Sequence, residues 1–171
     1  MIDTKAFRTF SSGLSVVSSS DGTHQSGCVI NTGLQLTSSP FQIMACVNKE
    51  NYTEQIMEAS GHFALATLTQ EADMSYIGRF GFHTGETFDK YGGSDTHCTE
   101  LGDPYVTECV AGLFSCEIVK KIDVGTHMLF VGEVKDTQVI SDAPLLTYEY
   151  YHSTLKGKTP SKASSFLPDD K

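Results

Sequence analysis

The chain has 171 residues, of which 39% are hydrophobic and 19% charged, which suits one domain large enough to bury its own core. Its formal net charge of −9 and pI near 5.0 exclude nucleic acid or an anionic membrane surface as the expected partner, because both need clustered Lys and Arg. No apolar leader follows Met1 and no run is long enough to span a bilayer, so a cytoplasmic protein with no membrane role is expected.

Asp3 and Thr4 are placed to cap a short amphipathic helix that points Ala6, Phe7 and Phe10 inward and stops at Gly13. Leu14 to Ser19 reads as a strand, Asp21-Gly22 is a hairpin signal, and the returning strand starts near Gln25. Gly27 and Gly33 within this return mark a bulge or the close approach of another group, such as a flat ring, or else a bend in a barrel strand. A polar turn, Thr37-Ser38-Ser39-Pro40, leads into Phe41 to Val47. There Phe41, Ile43, Ala45 and Val47 alternate on one face and Met44 and Cys46 make the other nearly as apolar, the pattern of a central strand covered on both sides. Asn51 stands three residues before Glu54, a helix-capping pattern, and the helix continues through Ile56, Met57 and Ala59. Such a helix start, beside the Lys49 ammonium and the Thr53 hydroxyl, favours an anion such as a phosphate monoester. The plainer alternative is that Asn51 is a cap and nothing more.

Phe63 to Leu68 is a further strand, and Gln70 to Phe80 a second helix with Met74, Ile77 and Phe80 on one face. Arg79 precedes a Gly-rich loop, Gly81 to Gly85, that stays irregular to Asp95, a length that marks a functional or mobile segment. Its guanidinium suits either a phosphate or a surface carboxylate. From Tyr105 the pattern returns to strand. Leu113 to Lys121 alternates Phe114, Cys116 and Ile118 against Ser115 and Glu117, His127 to Ile140 is its partner with Gly132 as a bulge, and Leu145 to Tyr151 closes the sheet. Residues 154–171 form a Lys-, Ser- and Pro-containing arm expected in solvent.

The five cysteines (Cys28, Cys46, Cys98, Cys109, Cys116) include no C-x-x-C pair and are expected as reduced, mostly buried thiols. A metal site from His97-Cys98, Cys109 and Cys116 lacks zinc-knuckle spacing. The motifs of serine hydrolases, zinc proteases, P-loop enzymes and Rossmann domains are all missing from the sequence. With no repeats and no sign of a second domain, residues 1–171 read as a single mainly β barrel with a few helices.

Gly27 to Val47, with Asn31 and Thr-Ser-Ser-Pro ahead of an apolar strand, is followed by Asn48-Lys49-Glu50-Asn51-Tyr52-Thr53. This succession resembles the flavin reductase family of FMN-binding split barrels. Three later stretches agree. Arg79-Phe80-Gly81-Phe82-His83-Thr84-Gly85 resembles the loop that closes over the flavin, and Gly125 to Val134 resembles the family's Gly-x-His strand. Tyr150-Tyr151 to Ala163 resembles the C-terminal arm of members that work with rubredoxin-type partners. The similarity runs from Phe7 to about Ala163.

The resemblance implies a Greek-key split β-barrel, homodimeric, that binds FMN, accepts a hydride from NADH or NADPH, and passes electrons to free flavin or to a small redox protein such as rubredoxin. It puts the backbone around Val29, Ile30, Asn31 and Thr32 at the isoalloxazine edge and Gln35, Leu36 and Thr37 along the ribityl chain. Lys49, Asn51, Tyr52 and Thr53 hold the phosphate, assisted by Arg79, Phe80, Gly81, Phe82 and His83. His127 lies near the flavin face where nicotinamide stacks, as a hydrogen-bond donor or steric gate; a lone His on a strand is otherwise a satisfied core residue. Val29-Ile30-Asn31 departs from the Thr-Ala/Ser pattern common in two-component reductases, which makes the ring environment more apolar. A pyridoxamine-phosphate oxidase is disfavoured because Arg8 and Arg79 are the only arginines. The alternative from another class is a non-catalytic flavin- or haem-binding barrel acting as electron carrier or sensor, whose haem version needs His127 exposed beside an iron.

Overall fold

The structure is a computed structural model and describes residues 2–167. Its centre is a seven-stranded antiparallel sheet built from β1 (Ser15–Ser20), β2 (Gln25–Ile30), β3 (Leu34–Ser38), β4 (Phe41–Asn48), β5 (His62–Leu68), β8 (Val110–Asp123) and β9 (His127–Val139). The strand order is β2-β1-β5-β8-β9-β4-β3, and a separate pair is made by β6 (Thr96–Cys98) and β7 (Pro104–Val106). Three α-helices accompany them: α1 (Tyr52–Ser60), α2 (Met74–Gly81) and α3 (Tyr148–Ser153). Cys28 and Ile30 from β2 share one buried cluster with Ile43, Ala45 and Val47 from β4, at the far side of the strand order. The sheet must therefore curl upon itself, and Val17, Phe63, Phe130 and Met57 fill the interior so formed.

Because side chains alternate along a strand, the same strands present a second face. Val16, Ala64 and Ala66 pack there with Tyr76, Ile77 and Phe80 of α2 and with Tyr91 from the following loop. The strand covered on both sides is thus β1, where Ser15 to Ser19 are all buried. The strand Phe41–Asn48 follows its alternation on the inner side, but Phe41 is exposed and Met44 and Cys46 are half-buried. It lies next to the edge strand β3, where helices do not cover its outer face.

Local chemistry explains several elements. The Asn51 side chain accepts from Thr53 N and opens α1, while Gly61 closes it at φ 78°, a left-handed value that glycine adopts at little cost. Asp73 caps α2 by accepting from Tyr76 N, so that helix starts later than the Gln70 expected from periodicity. The Asp21 carboxylate accepts from Thr23 N and His24 N in the first hairpin.

Elsewhere the fold corrects the sequence reading. The N-terminal segment is a 3₁₀ helix, Thr4–Thr9, with no buried residue, and Phe7 and Phe10 are exposed. At three residues per turn it does not line up the 3.6-period apolar stripe. Leu113 to Lys121 does not alternate cleanly: a bulge at Ser115/Cys116 turns both residues inward, and another falls at Ile118/Lys120. Gly132 is not itself that bulge. A Cβ there would lie 2.6 Å from Phe63 Cε1 and 2.7 Å from Cys116 Cβ, so the glycine makes room for core atoms. At Gly27 the close neighbour is the Tyr91 hydroxyl. Leu145 to Tyr151 adds no full strand; Leu145 and Thr147 make isolated bridges to Thr69 and Gly13, after which Thr147 caps α3.

Candidate functional site

One cleft collects the ends of several elements. Cys28, Val29 and Ile30 at the end of β2 form one wall, continued by Asn31 and Thr32. The Thr32 hydroxyl donates to the Cys46 carbonyl at 2.7 Å and ties this corner to β4. Val47 and Asn48 end β4, and Asn51 stands at the start of α1. Ile77, Gly81 and Phe82 close the apolar side from the end of α2, where a Cβ on Gly81 would be 3.7 Å from Val29 Cβ. Across the sheet, pairing of β4 with β9 sets His127 opposite Asn48.

His127 is only 9% exposed. Its Nδ1 lies 2.8 Å from the Thr126 hydroxyl. Burial holds its pKa below the ordinary imidazole value, and the nearby Lys162 carbonyl pulls it the other way. The ring therefore sits neutral in the cleft wall near pH 7. With polar neighbours at Nδ1 and from Lys162, it is not the exposed histidine that a haem iron would require.

The residues from the end of the chain complete the site. Tyr148 and Tyr151 of α3 line the cleft, and the following segment crosses its mouth with Thr159, Pro160 and residues Lys162 to Ser165. This arm is docked by polar bonds. Asn48 Nδ2 donates to the Lys162 carbonyl at 3.0 Å, and the Ser164 hydroxyl donates to Asn31 Oδ1 at 3.1 Å. The Tyr148 hydroxyl is 2.7 Å from both Thr159 Oγ1 and Ser165 Oγ, and Tyr151 donates to the Lys158 carbonyl at 2.8 Å. With the arm in place about 110 Å³ remains open in the cleft.

Of the residues expected from sequence, the cleft brings together Val29, Ile30, Asn31, Thr32, Asn51, Gly81, Phe82 and His127. The others lie elsewhere. Gln35 and Thr37 line a second, apolar cavity of about 420 Å³, and Leu36 is exposed on β3. The Lys49 ammonium pairs with Asp123. Thr53 is fully buried and donates its hydroxyl to Ser26 Oγ at 2.9 Å; Tyr52 sits edge-on to His24. Arg79 reaches Ser94 Oγ at 2.6 Å and comes within 4.0 Å of Glu108, Phe80 is core, and His83 stacks on Phe88. Sequence reasoning missed Leu14, Cys46, Asn48, Ile77 and Tyr148 as lining residues, and missed the docking of the arm. Asn48 had a visible signal, standing at the strand end beside Lys49.

The chemistry of this lining is amphiphilic. Apolar side chains from β2 and α2 form a slot, and asparagine amides, hydroxyls and backbone groups gather at its rim. That donor set fits a planar heteroaromatic ring with a polar tail, the shape of a flavin. Among the described residues no cluster of His, Cys, Asp or Glu is arranged to hold a metal ion, and no helix is long and apolar enough to cross a membrane.

Fold and cleft together define a mainly β, split-barrel flavin-binding protein. Solved structures with this fold include NADH:FAD oxidoreductase from Streptomyces globisporus (TM-score 0.74, 22% identity, covering 83% of this chain and 84% of that one). Flavoredoxin from Methanosarcina acetivorans also shares it (TM-score 0.69, 18% identity, 77% and 70% covered). The flavin reductase like domain family matches residues 7–157. A ferric-chelate reductase (NAD(P)H) of Archaeoglobus fulgidus is 42% identical over 166 residues, covering 97% of this chain and 98% of the relative. High molecular weight rubredoxin of Moorella thermoacetica is 35% identical, covering 96% of this chain and 72% of the relative. The chain belongs to the flavin reductase-like family and is an oxidoreductase of the flavin reductase type.

Proposed function

We propose that the protein binds FMN in this cleft, takes a hydride from NADH or NADPH, and passes electrons to free flavin or to a small rubredoxin-type redox protein. The observation that carries the reading is the convergence of an apolar slot between β2 and α2 with the polar start of α1, with the neutral His127 ring opposite. Bound flavin supplies the hydride and electron chemistry; the chain orients it and shapes its surroundings. Val29 and Ile30 would shield the ring of a bound flavin from water, and Asn31, Asn48 and Asn51 would offer side-chain amides to its polar groups. His127, held neutral, offers a hydrogen bond or a steric limit to a nicotinamide and does not supply a proton. Five unpaired cysteines support a reducing, cytoplasmic setting. The names of the ferric-chelate reductase (NAD(P)H) and rubredoxin relatives support a nicotinamide donor and a rubredoxin-type partner respectively. We further assign a homodimer, supported by the exposed apolar face around β3.

The test is an anaerobic absorption spectrum of the FMN-loaded protein before and after NADH and then NADPH. Bleaching of the flavin band by one nucleotide supports the reductase and names its donor. A band that survives both favours the electron-carrier alternative, and failure to take up FMN overturns the cofactor.

A further inference from the structure

Lys90 is 3% exposed, in a loop of irregular backbone. Its Nζ donates to the Gly27 carbonyl at 2.7 Å and to the Phe80 carbonyl at 2.9 Å. These two carbonyls belong to the two walls of the cleft: Gly27 precedes Cys28 and Val29 in β2, and Phe80 precedes Gly81 and Phe82 at the end of α2. Among the described residues no carboxylate pairs with this ammonium, in contrast to the more exposed cations nearby. Lys49 is held by Asp123, Arg79 faces Ser94 and Glu108, and Lys162 pairs with Glu50 at 2.9 Å.

The charge is held on the stretch of β2 that also meets the first turn of α1: Gly27 accepts from Lys90, and its neighbour Ser26 accepts from the Thr53 hydroxyl at 2.9 Å. Burial of an ammonium without a carboxylate is costly, and it pulls the Lys90 pKa downward. Two carbonyl acceptors offset part of that cost. The two buried carbonyls need a donor there, but a neutral amide would supply one as an ammonium does, so closing the loop over β2 does not by itself require a charge.

Resting on the FMN reading above, we infer that Lys90 is the positioning cation of the site. It clips β2 to α2 through the Gly27 and Phe80 carbonyls and supplies, through the wall, the positive field that selects a phosphorylated flavin. The role expected of Lys49 falls to Lys90. No direct contact with the phosphate is needed. In surroundings of effective dielectric near 20, an unpaired charge acting on a phosphate changes affinity by about tenfold. Being buried, it is also screened little by salt.

The test compares FMN with riboflavin, which lacks the phosphate, by fluorescence titration of the full chain. Wild type should bind FMN more tightly than riboflavin, and the preference should persist in about 0.5 M NaCl, where the exposed Lys49 would be screened. Lys90→Met and Lys90→Gln should each lose about tenfold in FMN affinity and less than about twofold in riboflavin affinity. The glutamine variant keeps a donor for the two carbonyls, so it separates charge from clipping. Parallel losses for both ligands would overturn the inference and leave Lys90 as wall support only. If neither variant folds, the wild-type salt comparison decides: a preference abolished by salt, or no preference at all, also overturns it. Wild type that binds neither flavin overturns instead the FMN reading on which the inference rests.

Discussion

Burial keeps the His127 imidazole below its ordinary pKa, against the pull of the Lys162 carbonyl. As pH falls through about 6.5, the unfolded chain takes up this proton before the folded one does. The contribution of His127 to stability is therefore complete above that pH and is lost as pH falls toward the folded value. Urea unfolding at pH 7.5 and 5.5 should show a larger loss for wild type than for His127→Gln; equal losses would mean that the ring is as solvated as in the unfolded chain. Glycines give a second contrast at this scale. Gly132→Ala puts a methyl within 2.7 Å of core atoms of Phe63 and Cys116, and overpacking of this kind costs about 1–3 kcal/mol. Gly13→Ala meets no atom within 4 Å and should stay within about 0.5 kcal/mol of wild type. Thermal denaturation of the two variants checks the difference.

Among the elements, the arm after α3 has the most direct bearing on ligand entry. It leaves about 110 Å³ in the cleft, where ligand sites usually offer roughly 300–1,000 Å³. Its bonds also occupy the amides of Asn31 and Asn48. A chain ended after Lys158 keeps Gly157 against the Tyr151 ring and should bind FMN with a faster association rate in stopped-flow fluorescence, because the arm no longer has to be displaced. An unchanged rate would mean that the arm leaves room without moving. None of this docking was legible in sequence, because hydroxyls and backbone carbonyls hold the arm and no apolar periodicity records it. The same holds for β3, whose five residues are all exposed and whose pairing with β4 slips at Gln35/Thr37. Leu145 to Tyr151 looked like a strand because it is rich in Leu and Tyr, but the Thr147 hydroxyl accepts from Tyr150 N and starts a helix. By contrast, the Asn51 cap, the Asp21-Gly22 hairpin and the inner face of β4 were readable, since each depends on residues within a few positions of one another. Val29 to Thr32 and Asn51 were legible as cleft residues for that reason, whereas Cys46 and Asn48 between them were not. The part built by Tyr148 and the arm depends on contacts across the fold, as do the bonds of Lys90 to Gly27 and Phe80.

For the molecule as a whole, the apolar surface around β3 bears on assembly. Leu34, Phe41 and Leu145 are 59%, 61% and 56% exposed, and they rim the apolar cavity of about 420 Å³ floored by Leu65, Leu68 and Phe114. β3 is also a sheet edge, with backbone groups open on one side, and proteins rarely leave a flat apolar edge uncovered. A net charge of −9 opposes association in general, so the proposed homodimer must come from local apolar complementarity at this face. Light scattering should give about twice the 18.6 kDa chain mass for wild type. Phe41→Lys combined with Leu34→Lys places two ammonium groups on the patch without touching a buried residue, and at low micromolar concentration the variant should run as a monomer with unchanged circular dichroism. If it remains dimeric, the interface lies elsewhere, and the exposed Phe7 and Phe10 of the N-terminal 3₁₀ helix become the next surface to alter. If wild type is itself monomeric, the β3 face is solvent-exposed and the flavin site must be complete within one chain.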